Sequence, residues 1–169
     1  MAFLSWLEHT GISTWVNQSN TIFAYPTILL LHTFGLTLLV AINLAIDLRL
    51  LGFAPQIPVT ELRRLFPVMW TGLACSTITG VLLLAAKATT MMVNPAFYVK
   101  MICIALAIGV FFAIRANVFG DPLLDKRPVQ TNGRFLAMAS IALWLAAITA
   151  GRVMAYVGEA AEFATLILT

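Results

Sequence analysis

Apolar positions fall in four long runs, at approximately 21–46, 66–88, 98–118 and 135–157, with short polar stretches between them. Each run exceeds the roughly 18 residues that a helix needs to cross a hydrocarbon core about 30 Å thick. The apolar residues do not keep to one stripe at helical spacing but occupy nearly every position, which fits helices whose outer faces meet lipid rather than water. Glycine and proline mark the breaks: Gly52, Pro55 and Pro58 after the first run, Asn94-Pro95 after the second, and Gly120, Pro122, Pro128 and Gly133 after the third. The closing "FATLILT" is apolar but too short to span.

The pattern predicts an all-α, integral membrane four-helix bundle forming a single domain over residues 1–169. Composition agrees, with 61% hydrophobic and only 10% charged residues against about 25% charged in soluble domains. The first residues, "MAFLSWLEHTGISTWV", have neither a basic stretch nor a small-residue cleavage site, so they read as a short interfacial helix rather than a cleaved signal. Phe3, Leu4, Trp6 and Leu7 would form its apolar face, with Trp6 and Trp15 in the headgroup layer.

The net charge of +3 is spread over loops, so the lipid bilayer is the expected partner and nucleic acid is not. Arg49, Arg63 and Arg64 lie in the first connection and Lys126, Arg127 and Arg134 in the third. The positive-inside rule puts these two connections in the cytoplasm and both termini on the outer side.

Candidate chemistry centres on "ILLLHTFGLTLLV", which holds His32 inside the first span. Counted from an outer entry near residue 21, His32 is about eleven residues deep, or about 16 Å, close to the midplane. Ionisable groups at such depth are costly and mark cavities, relays or cofactors. Imidazole is a common axial ligand of haem iron, and His32 is the candidate metal ligand. Gly35, one turn on, would leave room for a flat macrocycle. Arg152, Lys100 and Lys87 lie toward the outer ends of their helices, where haem propionates would need cations. The plainer alternatives are that His32 hydrogen-bonds a neighbouring helix, that Gly35 permits close packing, and that the cations snorkel to headgroups.

A second axial ligand has several candidates: Met154 as a thioether, water, an open face, or His9 if the N-terminal segment folds into the bundle. Cys75 and Cys103 lack CxxC spacing and read as buried small residues. Met91-Met92 could bind Cu(I) with Cys75 or His9, although packing is the commoner role of such methionines. Asp47, Arg49, Arg115 and Asn117 are expected at the inner interface, fixing helix ends.

The segments "YPTILLLHTFGLTLL", "AIDLRLLG", "MWTGLACSTITGVLLL", "NPAFYVKM" and "LWLAAITAGRVMAY" extend over nearly the whole chain. Together they resemble a family of small bacterial four-span membrane proteins long described as being of unknown function. The resemblance rests on Tyr25-Pro26, His32, Gly35, Asp47-Leu48-Arg49, Trp70, Gly80, Asn94-Pro95, Lys100, Trp144, Gly151-Arg152 and Tyr156. It implies a bacterial inner-membrane bundle with periplasmic termini, binding one or two haems b at the matching histidine. Tyr25, Trp144 and Tyr156 then join His32, Gly35, Lys100, Arg152 and Met154 as candidate cofactor-binding residues. Electron transfer or a haem-dependent oxidoreductase activity would follow, with a quinone or redox partner, and assembly into a homo-oligomer is open. The competing reading is a small transporter or an assembly subunit that uses a midplane His32 as a proton or metal relay.

The charge pattern makes a direct prediction. A reporter active only in the cytoplasm should be silent when fused to either terminus and active in the first or third connection; the opposite result inverts the topology.

Overall fold

The computed structural model describes residues 8–18, 24–120 and 131–168. It is 88% helical, with no strand among the described residues. Helix α1 spans Gly11–Gln18, α2 Tyr25–Leu51, α3 Val59–Leu62, α4 Phe66–Ala86, α5 Ala88–Val93, α6 Pro95–Asn117 and α7 Thr131–Leu168, and a 3-10 turn, Arg63–Leu65, joins α3 to α4. Four stretches are long and apolar enough to cross a membrane: Tyr25–Leu51, Val59–Ala86, Pro95–Asn117 and Thr131–Met154. The chain is a multi-pass membrane four-helix bundle. The proposed apolar face of the N-terminal segment, Phe3 to Leu7, lies outside the described residues.

The helix ends differ from the sequence expectation for local reasons. Pro26 is pre-organised for the first turn of α2, and the helix continues through Asp47 and Arg49 to Leu51. It stops at Gly52, whose φ of 105° is open to glycine, with the Gly52 and Phe53 amides donating to the carbonyls of Arg49 and Leu48. Asn94-Pro95 is the expected break, since Asn94 separates α5 from α6, and it also opens α6: Asn94 Oδ1 accepts from the Ala96 amide at 3.0 Å, and Pro95 occupies the first turn. Helix α7 begins before Gly133 and takes in "FATLIL" of the closing segment, which continues the helix beyond the candidate span Thr131–Met154. Arg152 stays close to the end of the fourth candidate span, which closes at Met154, while the helix itself runs sixteen residues past it.

Packing joins two helical hairpins, α2 with α4 and α6 with α7, through contact of α2 with α7. The α2–α4 crossing is closest at Gly35 and Gly72. A β-carbon on Gly35 would stand 2.8 Å from the Gly72 carbonyl oxygen and 2.8 Å from the Ser76 amide nitrogen, and one on Gly72 would stand 2.9 Å from the Gly35 carbonyl. Membrane helices have no hydrophobic drive to associate, so small residues that admit backbone-to-backbone approach decide where they cross. Gly35 serves this close approach, and the room reserved for a macrocycle beside it is filled by α4.

The two halves of the bundle are packed differently. At the end carrying Arg49, Arg63, Arg64, Arg115 and Arg134, called here the basic end, Leu50, Ile46, Met69 and Ile114 are almost fully buried. Helices α4 and α6 are bridged there by aromatic rings, Phe66 edge-on to Phe111 at 5.4 Å and Trp70 to Phe111 at 6.1 Å. At the opposite end, α6 has no buried residue before Ala107. The bundle is closed at its basic end and loose along α6 at the other.

Helix α1 packs on the far end of α4, where Val16 is buried with Ile28, Leu83 and Ala86. Trp15 is half exposed on its outer side. Just before it, Glu8 Oε1 accepts from the Thr89 amide at 2.8 Å and from the Thr89 hydroxyl at 2.7 Å, capping the N-terminus of α5. These two bonds, the hydroxyl foremost, hold the Glu8 carboxyl below the ordinary glutamate value of 4.5.

Two predictions follow from the packing. Gly35→Ala should cost about 1–3 kcal/mol in reversible unfolding from mixed detergent, because backbone rather than a mobile side chain must yield. Gly109→Ala, which meets nothing within 4 Å, should stay within about 0.5 kcal/mol; equal costs would refute the crossing. The depressed Glu8 value implies that its anchor is intact above pH 4.5 and lost as pH falls through the lower folded value. Hydrogen exchange in α1 should therefore rise on acidification below 4.5, and Thr89→Val should remove that pH dependence; exchange independent of pH in both proteins would dispose of the anchor.

Candidate functional site

His32 is seven residues into α2, about 10 Å from its start, in the half of the helix nearer that end. The ring leans on α4. Its Nδ1 is 2.9 Å from the Ser76 carbonyl oxygen and 3.3 Å from Thr79 Oγ1. A carbonyl can only accept, so Nδ1 carries the proton and donates. The Thr79 hydroxyl donates to the Cys75 carbonyl at 2.6 Å, which leaves its oxygen free to accept from Nδ1 as well. Among the described residues all hydrogen bonds of the ring are made by Nδ1. In the neutral ring, Nε2 then carries the lone pair and makes no hydrogen bond among the described residues, on a residue that is half buried.

The ring is fixed sterically too. A β-carbon on Gly80 would lie 3.0 Å from His32 Cε1 and 3.3 Å from Nδ1, so the imidazole occupies the space that Gly80 leaves. Gly80, marked in the sequence only through the resemblance, is thus part of the site. Ser76 was missed, because a carbonyl acceptor is available at every residue and only the helix register selects one.

Lys100 comes from α6. It is half buried, close enough for its charge to act on His32, and its stem lies 3.8 Å from where a β-carbon on Gly151 of α7 would be. Counted from the helix ends, His32, Gly80 and Lys100 are about 10, 9 and 8 Å deep, so they form one layer with Gly151. All four spans contribute to that layer, where α6 is least tightly held.

A profile described as "Family of unknown function" and designated DUF6644 matches residues 3–157. The chain belongs to the DUF6644 family. No curated protein and no solved structure matches it.

Other residues that the sequence singled out in this DUF6644 protein are dispersed. Tyr25 is at the start of α2, where the Lys87 ammonium lies 5.6 Å over its ring, and it packs toward α1. Arg152 is exposed beside Gly151, and Tyr156 is 67% exposed. The side chains of Glu159 and Glu162 lie outside the described residues. Met154 is half buried, one turn beyond Gly151 toward the terminal end. Trp144 is buried two turns from Gly151 in the other direction, about 10 Å along the axis, and belongs to the core of the basic half. It is outside the His32 layer.

His9 is exposed ahead of α1, and its segment stays at the bundle's end. The Met92 carbonyl accepts from the Tyr98 hydroxyl at 3.0 Å. Cys75 is half buried beside the Gly35 crossing, its thiol 3.6 Å from the Leu31 carbonyl. Among the described residues no group of three His, Cys, Asp or Glu side chains could hold a metal by itself.

The acidic and basic residues near Gly52 do not pair as expected. Arg49 donates to the carbonyls of Ile57 and Pro55, closing the loop back onto α2, while Asp47 turns inward and is 1% exposed. The Asp47 side chain has entered the core.

Proposed function

We propose that the protein is a haem b-binding, cytochrome b-like membrane protein that serves electron transfer or small-molecule redox chemistry. The observation that carries this reading is the state of His32: Nδ1–H is committed to the Ser76 carbonyl, while Nε2 keeps a lone pair in a half-buried layer reached by all four spans. Metal-bound histidines have this arrangement, in which one ring nitrogen donates to a carbonyl and thereby fixes the tautomer, the orientation and the basicity of the other. Gly80 adds a steric stop that holds the ring plane.

The residues present fit one axial position. His32 Nε2 would take the iron, and the Lys100 ammonium, held against Gly151, would meet a propionate from within the bundle. Arg152, exposed on the neighbouring position, would meet an anion only from the bundle's surface. Met154 is the protein donor nearest in level for the other face; an open face would instead admit a small molecule. Haem would supply one-electron exchange when bound. The chain's own part would be to hold the imidazole neutral and oriented and to compensate anionic charge with Lys100.

The transporter or relay reading loses support from the same geometry. A relay needs His32 to exchange its proton between two sides, whereas its Nδ1 proton is held by α4 at about one quarter of the span's depth.

Protein purified from cells supplied with haem should show a Soret band that shifts on reduction, and His32→Ala should abolish it while the bundle still inserts. Lys100→Gln should retain the band but shift the midpoint potential or weaken haem retention, and Arg152→Leu should do so less. A colourless wild-type preparation, or a His32→Ala protein with an unchanged spectrum, refutes the assignment.

A further inference from the structure

The basic half of the bundle contains a second polar site, between α2 and α7. Asp47 of α2 and Ser140 and Trp144 of α7 are 1%, 0% and 4% exposed. Asp47 Oδ2, Ser140 Oγ and Trp144 Nε1 are sealed from solvent, and none has a hydrogen-bond partner among the described residues. The Ser140 hydroxyl lies beside the Asp47 carboxyl, close enough to act on it. The helices run antiparallel, so Trp144, one turn after Ser140, is level with Asn43, one turn before Asp47. Asn43 is satisfied by α2 and α4, donating to the Leu39 carbonyl at 2.9 Å and to Met69 Sδ at 3.3 Å.

Three orphaned polar atoms within about one helical turn are a costly arrangement, since each loses its hydration without replacement. Their chemistry narrows the occupant. An indole N–H only donates, so it cannot ligate a cation, and a carboxylate repels an anion. Water is the species whose chemistry matches each of the three: it can accept from Trp144, exchange donor and acceptor roles with Ser140, and bond to Asp47 in either protonation state.

The charged and titratable groups on the surrounding elements are directed elsewhere. Arg49 is bound to the loop carbonyls, Glu61 and Arg64 pair with each other at 3.1 Å, and Arg63, Arg115 and Arg134 are exposed. The only titratable side chain in α4 is Cys75, at the Gly35 crossing well away from Asp47. No charged side chain among the described residues acts on the Asp47 carboxyl. With no counter-ion, the proton is what compensates an anionic charge here.

We propose that Asp47, Ser140 and Trp144 form an internal proton-binding site, in which one bridging water carries the proton between the Asp47 carboxyl and the basic end of the bundle. The exchange is Asp47–COOH giving Asp47–COO⁻, with the proton handed to the bridging water and from it to solvent water at the end of the bundle, and the reverse on protonation. Asp47 is four residues, about 6 Å, from the end of α2 at Leu51, so the path is short. The site is independent of what His32 binds.

Infrared spectroscopy of the full-length protein in lipid bilayers tests this. Wild type minus Asp47→Asn should show the C=O stretch of a protonated carboxylic acid, which shifts on transfer to deuterated water and loses intensity as pH is raised. Aspartate labelled with ¹³C at the carboxyl assigns the band without the variant, because the chain has only three aspartates and the other two, Asp121 and Asp125, are in the third connection. Ser140→Ala and Trp144→Phe each remove a donor, and each should move the titration midpoint up by about one pH unit. An absent acid band at every pH, a band that neither exchanges nor titrates, or a midpoint that both variants leave unchanged would overturn the site.

Discussion

The backbone contact of Gly35 with Gly72 sets the register on which the rest of the terminal half depends. Two antiparallel helices in lipid could slide past each other at little cost if their surfaces were uniformly leucine, because the lipid offers similar dispersion contacts. Two glycines with their carbonyls facing each other's α-carbons remove that freedom. Once the crossing is fixed, His32, three residues before Gly35, meets Ser76, four residues after Gly72, and Gly80 one turn further on. The imidazole's acceptor and its steric stop are consequences of one close approach.

Closure at one end and looseness at the other divide the work of the bundle. Aromatic edge-to-face contacts between α4 and α6 and fully buried aliphatic side chains hold the basic half, where repacking would open voids. The buried residues of helix α6 begin at Ala107, and its terminal half, with Lys100 against Gly151, adds none to that core. A cofactor or substrate layer fits the loose half, since occupancy there costs little packing. The loosest corner is secured by other means: α1 lies over the end of α4, and Glu8 ties it to α5 through two hydrogen bonds to Thr89.

Each half carries one unusual polar arrangement, and the two differ in how they are satisfied. His32 has its Nδ1 donor matched, while Nε2 makes no hydrogen bond among the described residues. Asp47 Oδ2, Ser140 Oγ and Trp144 Nε1 are buried without a short hydrogen bond among the described residues, although the Ser140 hydroxyl is near enough to act on the Asp47 carboxyl. About 22 Å of α2 separates the two residues, so they act as distinct sites on one helix.

Sequence alone determined the four spans, their approximate limits, the membrane setting and the singular position of His32. Lipid imposes a length and an apolar composition on any helix that crosses it, and both are local properties of the chain. The helix ends were half legible: Gly52 and Pro26 act within a few residues, whereas Asn94-Pro95 reads equally well as a stop or as a cap and first turn. The sequence count began the first span near residue 21, whereas α2 begins at Tyr25, which puts His32 seven rather than eleven residues into its helix. What lies opposite what was decided only by tertiary structure. Gly35 could have faced a cofactor or a helix, and Asp47 could have turned to Arg49 or to the core. A residue's own helix fixes its angle but not its neighbour, and the neighbour depends on the register at which two backbones meet.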